Sequence, residues 1–106
     1  MAATWWSVLV ETAADDGQSP PEIDGLLDVL TDALHDEHSG IVSGDARGYS
    51  ARINLEATEP VHGALWAVHM GCGIVVDAAM KAGLPDWRVV RIEAVRDDAV
   101  AREVKP

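Results

Sequence analysis

His35 and His38 stand three residues apart, on either side of Asp36 and Glu37. On a helix that spacing puts both imidazoles on one side, where a divalent metal could use them. No further His or Cys cluster completes a ligand set. Cationic imidazoles near a helix C-terminus are favourable without a metal, so neither a metal nor a cofactor is expected. His69 and Cys72 repeat the spacing and could form a thiol–imidazole pair. The sequence supplies neither a third orienting group nor an oxyanion donor. Cys72 therefore reads as a small core residue beside a partly covered histidine. No catalytic residue is assigned, and the chain is not expected to be an enzyme.

Arg47-Gly48-Tyr49, at the head of an alternating run, matches the start of the RNA-recognition strand motif. The match then stops, because Ala51 and Asn54 stand where more aromatics are needed. Charge points the same way. The formal net charge is −10: residues 1–46 hold ten Asp or Glu and no Lys or Arg, and residues 47–106 hold eight of each sign. Nucleic-acid binding needs cations to displace phosphate counterions, so no direct contact with nucleic acid is expected.

The acidic half carries a pattern of its own. Asp24, Asp28, Asp32 and Asp36 step by four along a helical run and form one stripe. Like charges at that spacing cost roughly 1 kcal/mol over three pairs. A stripe carried at that cost could meet a basic protein surface, and a spaced row of carboxylates could imitate DNA phosphates. The plain alternative is a solvated face.

These residues need elements to hold them. The chain reads as strand, helix, two strands around a turn, helix, strand. That order is the ferredoxin-like βαββαβ signature: an α+β sandwich with two helices on one face of a four-stranded antiparallel sheet, in the order 4-1-3-2. The first strand runs over about 4–13, with Trp6, Val8 and Val10 on one face. Ser19, Pro20 and Glu22 give a helix start in capping-box spacing, the stripe Ile23, Leu26, Leu27, Leu30, Ala33 and Leu34 is expected to face inward, and Gly40 stops the helix. The second strand, about 41–46, is short and contains Gly44, which suits an edge. Ala46-Arg47-Gly48 reads as the hairpin turn. In the third strand Tyr49, Ala51, Ile53, Leu55 and Ala57 alternate with polar residues. The second helix is expected over about 59–82, with a core stripe of Val61, Leu65, Val68, Cys72, Val75 and Ala79. The fourth strand, about 87–95, should point Val90, Ile92 and Ala94 inward and Val89, Arg91 and Glu93 outward. Residues 1–106 form one domain, with 96–106 as a tail of at most a helical turn.

This arrangement leaves one sheet face open. Trp5, Leu9, Trp87 and Val89 are expected there among Arg52, Glu56, Arg91 and Glu93, a mixture suited to a sheet-to-sheet dimer or a protein partner. The second helix is apolar nearly all round, which leaves Trp66 outside the core stripe; such helices are normally covered. Gly63, Ala67 and Gly71 at four-residue steps allow a close approach to its backbone. The leading expectation is a non-enzymatic interaction or regulatory module, homodimeric, acting through the open sheet face or the acidic helix on a basic partner. The alternative is a dimeric ferredoxin-like enzyme or small-ligand binder with a pocket between sheet and helices, using His62, His69 and Arg91.

One cysteine excludes an internal disulfide framework. The start lacks a basic n-region, and the apolar stretch Ala64 to Val76 reads as too short and too polar to span a bilayer. A cytoplasmic protein without membrane contact is expected. The segment Ala-Gly-Leu-Pro-Asp-Trp-Arg-Val-Val-Arg-Ile-Glu-Ala-Val from Ala82, with the hairpin Gly-Asp-Ala-Arg-Gly-Tyr-Ser-Ala-Arg, resembles a group of short hypothetical proteins of actinobacteria and their phages. The resemblance covers most of the chain. It implies the fold, and a source in which the basic partner would be a host DNA-binding protein. It carries over no residue's role.

Overall fold

The computed structural model describes residues 4–14, 22–59 and 61–96. They contain β1 (Thr4–Ala13), α1 (Ile23–His38), β2 (Ile41–Asp45), β3 (Gly48–Ala57), α2 (Ala64–Ala82) and β4 (Arg88–Arg96). The strands make one antiparallel sheet in the order β2-β3-β1-β4, which is the expected order read from the other edge. Both helices lie on one face: α1 packs on β2 and β3, α2 on β1 and β4, and each touches the other.

Alternation in the central strands builds the floor of the core. Trp6, Val8 and Val10 of β1 stand opposite Leu55, Ile53 and Ala51 of β3, and all six are buried. Each large apolar side chain removed from water contributes roughly 1.5–3 kcal/mol. At the end of this ladder a side chain takes over from the backbone. Thr12 Oγ1 accepts from the Tyr49 N–H at 3.1 Å and donates to the Tyr49 carbonyl at 3.2 Å. Both groups are buried and would otherwise be costly to leave unpaired. Gly48, at φ 150°, lies so close that a Cβ there would run into the Thr12 carbonyl.

α1 begins later than its capping signal suggests. Glu22 occupies the N-cap position without a side-chain hydrogen bond, and Ser19 and Pro20 lie outside the described residues. Its buried residues are Ile23, Leu27, Leu30 and Leu34; Leu26 and Ala33, expected in the same stripe, flank it instead, Leu26 half-buried and Ala33 exposed. Ser39, not Gly40, takes the left-handed cap at φ 53°. Gly40 donates to the Leu34 carbonyl at 3.0 Å, and a Cβ there would sit 2.5 Å from Leu34 Cβ.

α2 is rotated from the expected stripe. Its buried residues are Ala67, Gly71, Val75 and Ala79. Leu65 is 84% exposed and Val61 is exposed too. The cause is proximity: small residues at four-residue steps let the helix settle onto β1, with Gly71 against Val8. Larger side chains are then turned to the flanks.

β4 also changes phase. Its pairing with β1 slips between Glu11 and Thr12, so Glu11 opposes Arg91 but Thr12 opposes Val89. Val90 is the extra residue of a β-bulge and is exposed. Ile92 and Ala94 oppose Val10 and Val8 on the helix side, as expected. The expected phase is wrong for Val89, which shares the side of Thr12, and for Val90. Trp87 is corrected as well. It is buried with the core, 6.1 Å centroid to centroid from Tyr49, not on the open face.

Candidate interaction surfaces

Three surfaces carry the residues singled out in the sequence. The first is the open sheet face. Register places Ile41, Arg52, Leu9 and Glu93 side by side across β2, β3, β1 and β4, with Ser43, Ser50, Glu11 and Arg91 in the next row. Trp5 opposes Glu56 and is 43% exposed; Ile41 is 68% exposed. Arg52 Nη1 donates to Ser7 Oγ at 2.9 Å. Arg91 donates to Glu11 Oε1 at 3.3 Å and also pairs with Glu93. Such exposed pairs add little to stability, but they hold charged groups in a fixed pattern around the apolar ones. Trp5, Leu9 and Arg91 thus occupy the expected face, while Trp87 and Val89 do not.

The second surface is the outer side of α1. Asp24, Asp28, Asp32 and Asp36 are all exposed, opposite the stripe that α1 buries. The third is the outside of α2. Leu65, Met70 and Met80 are exposed there, and Trp66 is half-buried and stacked on His62 at 4.2 Å with 12° between the rings. Trp6 reaches the same corner, its indole N–H donating to the His62 carbonyl at 3.2 Å. Asp77 and Lys81 pair at 3.0 Å. At 19 residues α2 is longer than the stretch Ala64–Val76. By length and composition alone it is apolar enough to cross a membrane, and only 22% of that window is buried.

The histidines do not converge. His62 sits against Trp66 near the start of α2, His69 lies on the exposed side of that helix, and Arg91 is on the opposite side of the sheet. His35 is exposed and His38 half-buried, 3.8 Å from Glu37. Among the described residues, no group of three or more His, Cys, Asp or Glu is placed to hold a metal. A groove of about 320 Å³ runs between α1 and α2, floored by Leu34, Ile74 and Ala78 and rimmed by Glu37, Asp77 and Lys81. It is open to solvent, and the space between helices and sheet is filled by Leu30, Leu34, Ile53, Val8, Val10 and Val75. Burial pushes the Tyr49 hydroxyl up to about 12, with the negative charges of Cys72 and Asp86 adding to the shift.

The β4 bulge and the Thr12–Tyr49 pair escaped the sequence reading. The adjacent Val89 and Val90 break strict alternation and were the only trace of the bulge. The rotation of α2 had a better signal in its small residues at four-residue steps. No family model, curated protein or solved structure matches this chain.

Proposed function

We propose that this chain is a ferredoxin-like interaction module that works as a homodimer and meets a second protein on its open sheet face. The observation that carries the reading is the row Ile41, Arg52, Leu9 and Glu93, with Trp5 beside it. Apolar and aromatic side chains are left uncovered on a rigid sheet, among charges of both signs. Interface centres combine aromatic residues and arginine in this way. The rest of the described surface suits the same role. α1 carries its carboxylates outward, where they speed encounter with a basic surface over about 8 Å at physiological salt. The exposed apolar side chains of α2 favour self-association. Light scattering at tens of micromolar is expected to return twice the 11.3 kDa chain mass. A monomer at that concentration overturns the homodimeric reading.

A further inference from the structure

We propose that the second copy joins along the free edge of β4, making one eight-stranded sheet with two α2 helices packed over the seam. This rests on the homodimeric reading above and specifies its interface. The core is unfinished on that side. Val8 and Val10 of β1 are fully buried, yet their helix-side neighbours on β4, Ala94 and Ile92, are only half-buried, and Val89 is 37% exposed. Among the described residues, β4 is an edge strand with β1 as its only partner in the sheet.

The helix above it is unfinished on the same side. α2 turns Ala67, Gly71, Val75 and Ala79 to the sheet, and Ile74, Ala78 and Lys81 to the groove shared with α1. By helical period the remaining flank, over the free edge, is Leu65, Val68, Cys72 and Val76, which carries no charge. Spacing allows two such flanks to meet. Strands lie about 4.8 Å apart, and α2 rides on β1 and β4, so its axis is about 5 Å from a seam on the outer edge of β4. A two-fold axis there puts the helices about 10 Å apart, the distance at which helices pack.

Charge selects one register. Keeping both α2 helices on the same side requires the two-fold axis to pass through a β4 residue, so that opposing residues share a face. Through Arg91 or Glu93 it would oppose like charges at its centre. Through Ala94 it would put Arg96 opposite Ile92 and, among the described residues, pair no opposite charges. Through Ile92 it sets Arg91 opposite Glu93 of the second copy, twice, and Ile92 against itself. The helix layer agrees. Gly71 lies on Val8, which pairs with Ala94. One helical turn on is about two strand residues, so the flank at the level of Ile92 is that of Val76. α1 lies over β2 and β3, so its acidic stripe points away from the seam. The bulge at Val90 ends the regular edge nearby, and the two-fold contact closes on itself without leading to fibres.

The test is charge complementation by native mass spectrometry and light scattering. Arg91→Glu opposes two carboxylates on both sides of the axis, and Glu93→Arg opposes two guanidiniums. Each variant alone is expected to be a folded monomer by circular dichroism, with its dimer dissociation constant raised at least about tenfold. Mixed one to one, they restore both opposite-charge pairs and are expected to form the heterodimer. As an independent check, Ile92→Cys in a Cys72→Ser background is expected to link to its own copy under mild oxidation. A dimeric wild type with neither complementation nor the Ile92→Cys link overturns the seam and leaves the homodimer standing. A monomeric wild type overturns both, whether the edge is then taken by another part of the chain or α2 binds phosphatidylcholine vesicles.

Discussion

Gly71 of α2 sits directly on Val8 of β1: a Cβ built on Gly71 would lie 2.5 Å from Val8 Cγ1 and 2.9 Å from its Cβ. Both residues are buried, so neither can turn aside into solvent. Gly71→Ala is therefore expected to cost about 1–3 kcal/mol by overpacking. Val8→Ala alone leaves a cavity and also destabilises. Together they should cost clearly less than the two losses added, because each vacates the space the other needs. Urea unfolding of the four members of this cycle checks it; additive losses would contradict the contact.

Neutralising the middle of the acidic stripe should stabilise the fold. Asp28→Asn with Asp32→Asn removes all three like-charge pairs at four-residue spacing along α1. The expected gain is roughly 0.5–1 kcal/mol at low salt, shrinking as salt screens the wild-type repulsion. Thermal melts at two ionic strengths measure both. Loss of stability would mean that the carboxylates have favourable partners.

Alkaline pH should weaken the fold through Tyr49. Burial raises its pKa from 10.0 to about 12, so the neutral phenol is favoured in the folded chain. The unfolded phenol ionises first. The contribution is complete below about pH 10, declines as pH rises, and is gone above about pH 12. A titration of phenolate absorbance should show the folded transition near 12 and the unfolded one near 10. A folded transition near 10 would contradict the burial of the ring.

Leu9→Arg separates the open face from the seam. Leu9 lies between Arg52 and Glu93 on the open face and is half-buried. The variant is expected to keep the dimer mass in light scattering if self-association runs along β4 as proposed. Dissociation into monomers would put the self-contact on the sheet face instead.

Much of this architecture was legible because period-two and helical patterns coincide with burial. Tyr49 to Ala57 face as their alternation requires, and Ile23, Leu27, Leu30 and Leu34 face inward at helical spacing, with Leu26 and Ala33 left at the margins of the stripe. Where the reading failed, tertiary packing overrode a local pattern. Leu65 looks like a core residue in helical phase with Val75, but the smaller Ala67 and Gly71 allow the closer approach to β1 and turn Leu65 outward. Extending the alternation of β4 backwards puts Trp87 and Val89 on the open face, and the bulge at Val90 reverses that phase. The acidic stripe and the row through Leu9 were legible from charge and alternation alone. The unfinished edge of β4 was not, because only the register shows that Ile92 and Ala94 sit beside fully buried neighbours.

Residue-resolved amide exchange on the wild-type chain at tens of micromolar tests the homodimer most directly. The two edge strands are an internal comparison: among the described residues of one chain, β2 and β4 each have one partner in the sheet. The expected result is slow exchange through Arg91, Ile92 and Glu93, including the amides directed away from β1, with that protection fading on dilution. The outward amides of Ile41 to Asp45 should exchange fast throughout. Equal, concentration-independent exchange at the two edges would contradict the account.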